Sequence, residues 1–145
     1  MNIEDLIRII KEKFPKQISG TEIINPQRLL LGIDKKDLFK ISGFLFHDLD
    51  CRYIIVSAMD AKEGFELVYH FSHDKSGIII NLDVVIPHKQ PEIESLVSLI
   101  PGIEWIEREI HDFLGIDFPN HPNLQRLFLA ESWEEGNYPY RRKAE

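Results

Sequence analysis

Phe65-Glu-Leu-Val-Tyr-His-Phe71 and Ile78-Ile-Ile-Asn-Leu-Asp-Val-Val-Ile86 are the two stretches on which the fold turns. In the first, Phe65, Leu67, Tyr69 and Phe71 alternate with Glu66, Val68, His70 and Ser72. In the second, Ile78, Ile80, Leu82, Val84 and Ile86 alternate with Ile79, Asn81, Asp83 and Val85. A period of two puts alternate side chains on opposite faces of a sheet, so one face packs on helices and the other is mixed. A third β-rich run, Cys51 to Met59, precedes them, and turns ending in Gly64 and Gly77 separate the three. The pattern predicts an antiparallel three-strand meander.

Upstream, Ile3, Leu6, Ile7 and Ile10 share one helical face after a possible Asn2 cap, and the helix should stop near Phe14-Pro15. Ile18 to Ile24 and Leu29-Leu-Leu31 read as two further strands. Asp34 and Asp37 resemble a cap pair opening a helix whose inner stripe is Leu38, Ile41, Leu45 and Leu49. Downstream, Pro91 suits a first helical residue, so a short helix is expected from there through Ile100. A second follows Pro101-Gly102, from Ile103 to Leu114. In it Ile103, Ile106, Ile110, Phe113 and Leu114 form the apolar stripe, Glu107 and Glu109 are expected on its flanks, and Arg108 nearly opposite. The expected architecture is α+β: a mostly antiparallel sheet, made of the three-strand meander plus the N-terminal strands, packed with helices and followed by an extended C-terminal tail. Residues 1–129 read as a single domain and 130–145 as the tail, which holds Trp133, Tyr138 and Tyr140 without helical or strand periodicity.

Composition narrows the function. With 145 residues, 43% hydrophobic and 28% charged, the chain is an ordinary globular sequence. A net charge of -7 opposes a phosphate backbone, so nucleic acid is not an expected partner. The single cysteine, Cys51, excludes an internal disulfide and fits a reducing cytoplasm. It cannot by itself supply an iron–sulfur site, and as an isolated thiol it is expected to be a small buried apolar group. No apolar run approaches the roughly 20 residues that span a bilayer, and no export signal is apparent. His70 and His73 point to opposite faces of a strand, and His111 and His121 straddle a helix end, so no metal site is expected. Neither a Gly-x-Gly-x-x-Gly fingerprint nor a Walker loop is present. Glu109 and Asp112, about one turn apart, offer an acid/base pair for a small hydrolase, but no nucleophile is identifiable beside them.

The segment after the meander carries a longer pattern. Trp105-x-Glu107-Arg108-Glu109-x-x-Asp112-Phe113-x-Gly115-Ile116-x-Phe118-x-x-His121-Pro122-Asn123-Leu124-x-Arg126 resembles the signature of the thirty-kilodalton subunit (the C subunit) of respiratory complex I, NADH:quinone oxidoreductase, and its relatives in energy-converting membrane-bound hydrogenases. Glu131-x-Trp133 and Pro139-Tyr140-Arg141 resemble that family's C-terminal elements, so the match covers residues 101 to 142. Asn120, Gln125, Tyr140 and Arg142 depart from the usual pattern and point to the superfamily more than to complex I itself. The compact length makes the chain look more like the small subunit of an Ech-type hydrogenase.

The resemblance implies an accessory subunit without cofactors, held peripherally on the cytoplasmic face of the membrane. Its implied partners are a large catalytic subunit of hydrogenase or complex I type and a neighbouring iron–sulfur subunit, which would carry the metal and iron–sulfur centres. Contact with the membrane would come only through the complex; Arg141-Arg142-Lys143 is too small a basic cluster to anchor the chain. Glu107, Arg108, Glu109, Asp112, His121 and Arg126, with Trp133, Tyr138, Tyr140 and Arg141 from the tail, are the expected partner-binding residues. A free-standing protein-interaction module is the alternative.

Overall fold

The computed structural model describes residues 1–143; residues 144 and 145, the end of the expected tail, lie outside the described residues. Helix α1 (Ile3–Lys13) begins where the sequence provides a cap. The Asn2 side chain accepts the Asp5 N–H at 2.9 Å and the Asp5 carboxylate accepts the Asn2 N–H at 3.1 Å. The two satisfy each other's orphan donors. Ile3, Leu6 and Ile10 are buried, each stabilising by about 1.5–3 kcal/mol, and Phe14 ends the helix.

Five strands follow, β1 (Ile18–Asn25), β2 (Arg28–Ile33), β3 (Arg52–Asp60), β4 (Phe65–His73) and β5 (Ile78–Ile86), in the sheet order β1-β2-β5-β4-β3. The sheet is mostly antiparallel, and the meander β3-β4-β5 is present as the alternation requires. The N-terminal hairpin joins it through a parallel pairing of β2 on β5, with Leu29 opposite Ile80 and Leu31 opposite Leu82. Matching parity keeps all four on the buried face. Between β2 and β3, the Asp34 side chain accepts the Lys36 N–H and opens a short 3-10 turn. Helix α2 (Leu38–Gly43) then continues into one π turn, burying Leu38, Ile41 and Leu45. Cys51 is buried, which pushes its thiol up to about 12, so it packs as an unreactive apolar group.

Two compact units are distinguished, one comprising Met1–Val56 and Val68–Val84, the other Ser57–Leu67 and the chain from Val85 onward. The second has its own core, including Phe65, Leu67, Ile86, Ile93, Leu96, Ile103, Ile110, Leu114, Ile116 and Phe118. Contrary to the expectation from Pro91, no helix forms between Pro91 and Ile100. Residues 91–95 are extended, with a parallel bridge joining Glu92 to Asp117, and a turn closed on Leu96 O by the N–H groups of Leu99 and Ile100 follows. The Asp117 N–H donates to Pro91 O at 2.8 Å, Ile93 N–H to Asp117 O at 3.0 Å and Ser95 N–H to Pro119 O at 2.9 Å. Ile93 and Ser95 are buried while Glu94 is exposed, a period of two that the tolerance of proline at a helix start conceals. After a 3-10 turn at Pro101–Ile103, α3 spans Glu104–Leu114, ending at Gly115 in the left-handed region (φ 71°). From Gly115 to Lys143 the described chain contains no helix or strand.

Candidate functional site

α3 and the irregular chain that follows it hold every residue singled out for partner binding. Ile103, in the turn before α3, and Glu107, Ile110 and Leu114 on the helix form one buried stripe. These are successive steps of four, three and four, so Glu107 sits at the centre of the apolar face and not on its flank as expected. Its carboxylate tolerates the position because both oxygens are served: Ser95 Oγ–H donates at 2.6 Å and Leu96 N–H at 2.8 Å. Burial nevertheless pushes the Glu107 carboxyl up to about 7, against the lowering effect of those two bonds.

The opposite side of α3 grips the chain downstream. Arg108, which the helical wheel places opposite the apolar stripe, donates from Nε to Gln125 O at 3.0 Å and from Nη2 to Arg126 O at 2.9 Å. One turn on, Asp112 Oδ2 accepts the N–H groups of Leu127 and Phe128, both at 2.8 Å, and of Leu129 at 3.3 Å. An arginine that takes carbonyls and an aspartate that takes amides thus strap residues 125–129 along the helix. This cover leaves Asp112 only 3% exposed. His121 closes the near end. Its Nδ1 accepts the Asn123 N–H at 3.0 Å, so Nε2 carries the proton, and Nε2 lies 3.0 Å from Glu104 O and 3.9 Å from Glu107. Arg126 donates to Ala130 O at 2.7 Å and Glu131 O at 3.1 Å, closing a turn just beyond the strap.

The tail returns to the same helix. The Arg141 guanidinium carbon lies 4.4 Å from the Tyr138 ring centroid and 5.2 Å from that of Phe65, and Nε donates to Leu114 O at 2.7 Å, serving an orphan carbonyl at the helix end. Gly115 makes this approach possible. A Cβ there would stand 2.5 Å from Tyr138 and 2.7 Å from Arg141. The Tyr140 N–H donates to Phe113 O at 3.0 Å. The Arg142 N–H donates to Asp60 at 2.8 Å, and Asp60 also holds His88 at 2.6 Å. Although burial raises the Asp60 carboxyl, these two partners hold it below its ordinary value. A tail without periodicity would be expected to take its order from a partner; instead, its last described residues are bonded to their own domain.

Residues 31–145 match the family described as the respiratory-chain NADH dehydrogenase, 30 Kd subunit. The chain belongs to this family. It is 32% identical to the C subunit of F(420)H(2) dehydrogenase of Methanosarcina mazei over 148 residues, which cover all of this chain and 93% of that relative. It is 31% identical to the C subunit of NADH-quinone oxidoreductase of Streptomyces coelicolor over 127 residues, 83% of this chain but half of that protein. Among solved structures, a chain of the membrane-bound sulfane sulfur reductase, an archaeal respiratory membrane complex, superimposes with a TM-score of 0.81 at 25% identity. The match covers 95% of this chain and 82% of that one. A relative outside the hydrogenases thus has nearly the same length, so compactness does not single out the hydrogenase branch.

In this thirty-kilodalton-type subunit the motif residues divide by exposure. Glu107, Asp112 and the side chain of His121 are enclosed, while Arg108, Arg126, Tyr138 and Arg141 are half-buried and engaged with their own chain. Outside the motif's polar residues, an aromatic stack stands at the surface. Phe113 lies between Phe128, at 6.0 Å and 17° between planes, and Tyr140, at 4.4 Å and 18°. Phe128 is 60% exposed, Tyr140 65%, Trp105 on α3 67% and Trp133 39%. Of these, only Trp133 and Tyr140 are among the expected binding residues. Phe128 carries no sequence signal, because its orientation depends on the strap. A cavity of about 320 Å³ adjoins the strap, lined by residues including His111, Asp112, Arg126, Glu134, Glu135 and Tyr138. Glu109 does not line it, so the cavity does not unite the Glu109 and Asp112 pair of the hydrolase reading. Among the described residues no helix is long and apolar enough to cross a membrane.

Proposed function

We propose that this chain is a cofactor-free accessory subunit of a membrane-associated respiratory complex. It docks on the catalytic large subunit, next to an iron–sulfur subunit, on the cytoplasmic side. Its relatives support membership in such a complex, since they are subunits of F(420)H(2) dehydrogenase and NADH-quinone oxidoreductase. The observation that carries the docking reading is the aromatic stack of Phe128, Phe113 and Tyr140 with Trp105 nearby in sequence on α3. Large aromatic side chains left open to solvent on a backbone pinned by Arg108 and Asp112 form a preorganised contact surface, and such residues dominate the energetics of protein interfaces. Supporting electron transfer then means holding redox-active neighbours in place.

The test is affinity purification of the tagged chain from its native membrane, comparing wild type with Phe128→Ala/Tyr140→Ala. Wild type should carry a large catalytic subunit with it. Two lost interface aromatics should weaken that association by about 4 kcal/mol, roughly a thousandfold, well beyond the roughly 1 kcal/mol of the chain's own stability that losing each stacking contact with Phe113 costs. Equal recovery of partners by the variant would remove the stack from the interface. Recovery of the wild-type chain alone would favour a free-standing interaction module. Elemental analysis of the isolated chain should find no stoichiometric iron, nickel or zinc.

A further inference from the structure

The cavity beside the strap has a chemistry that the aromatic surface does not share. Three carboxylates line it, Asp112, Glu134 and Glu135, against a single guanidinium, Arg126. Arg126 is already turned to the carbonyls of Ala130 and Glu131. Among the described residues Glu134 and Glu135 form no ion pair, and both are exposed at the rim. Asp112 is the independent observation. It is 3% exposed, its Oδ2 takes all three backbone amides, and its Oδ1 has no hydrogen-bond partner among the described residues. A buried carboxylate oxygen without a donor is costly, and a donor with positive charge suits it best. The space, about 320 Å³, lies at the small end of ligand sites, enough for one long side chain but not for a dinucleotide or flavin.

We propose that this cavity receives an arginine side chain of a partner subunit, with Glu134 and Glu135 guiding the guanidinium towards Asp112. Arginine fits better than lysine because its planar fork carries five donors and can serve several carboxylates at once, and because it sheds water more readily. The inference rests on the docking reading above and gives it a specific polar contact. It also assigns the acidic turn Glu134-Glu135-Gly136 a role that neither the family match nor the sequence pattern provides.

The full-length chain, labelled with nitrogen-15, should be titrated with N-acetyl-arginine amide, with its uncharged analogue N-acetyl-citrulline amide, and with sodium phosphate. Saturable shifts of the amides of residues 134–138 are expected with the arginine compound alone. Glu134→Gln/Glu135→Gln should bind it about tenfold more weakly, since charge-assisted contacts are lost, while keeping the wild-type melting temperature. Equal shifts with the citrulline compound, a response to phosphate at these amides, or no response to arginine would overturn the proposal. Absence of arginine binding together with loss of the large subunit from Phe128→Ala/Tyr140→Ala would leave the docking reading standing and remove this one. Arginine binding by a chain that never co-purifies with other subunits would overturn both the docking reading and the partner subunit as the source of the side chain.

Discussion

Glu107 holds an ionisable group in the middle of an apolar helix face, and its protonation is therefore linked to folding. The folded carboxyl is pushed up to about 7 by burial, whereas the unfolded one has its ordinary value of 4.5. Between those pH values the folded chain binds more protons than the unfolded chain, so stability falls as pH rises through the window and levels off above it. The loss is on the order of 3 kcal/mol. Glu107→Gln can still accept from the Leu96 N–H and has no charge to bury. Denaturant unfolding of wild type at pH 4.5 and pH 8 should show this loss, and the variant should show little difference between the two. A variant with the same pH slope as wild type would place the titrating group elsewhere. The buried position follows the helical period directly; the obstacle to reading it is that a glutamate on an apolar stripe is exceptional unless its oxygens are satisfied. Both donors, Ser95 and Leu96, come from a stretch whose extended form is disguised by a proline suited to a helix start.

At the scale of elements, α3 organises its surroundings through its two polar positions as much as through its apolar stripe. Arg108 and Asp112, one turn apart, turn an aperiodic sequence into an ordered strap. Periodicity cannot reveal such a segment, because its order comes from backbone groups meeting side chains and not from a repeating apolar face. The same limit conceals the end of the tail. Removing residues 130–145 deletes the Arg141 contacts with Phe65, Tyr138 and Leu114 O, the Tyr140 stack on Phe113, and the Arg142 bond to Asp60. We expect the truncated chain to lose about 2 kcal/mol of its own stability, measured by equilibrium denaturation, because a cation set against the Phe65 ring and one half-buried hydrogen bond each contribute about 1 kcal/mol. An unchanged midpoint would mean that these contacts contribute nothing without the partner. The strands and α1, by contrast, are readable in place, since alternation and a capping box are local signals that tertiary packing here reinforces.

For the molecule as a whole, the family is legible from one long motif, but the order of the sheet is not. Nothing in the sequence pattern of Leu29-Leu-Leu31 says that its neighbour is β5; only a parallel pairing with matching parity reveals it. That pairing has a temporal consequence. The Asn81 side chain donates to Leu29 O across 52 positions, and Leu31 has no sheet neighbour on that side until Leu82 arrives. At about 5–20 residues per second, a ribosome takes roughly 3–10 s to make the intervening chain. During that time the hairpin can pair only with itself. In refolding, closing this distant contact is also slower than forming the adjacent strands of the meander. Pulsed hydrogen exchange should therefore find the amides of β3 and β4 protected before those with which β2 meets β5, and the reverse order would contradict this sequence of events. A nascent chain stalled before residue 82 would carry Leu29 and Leu31 along an unpaired strand edge, a template for pairing with another chain that the arrival of β5 closes.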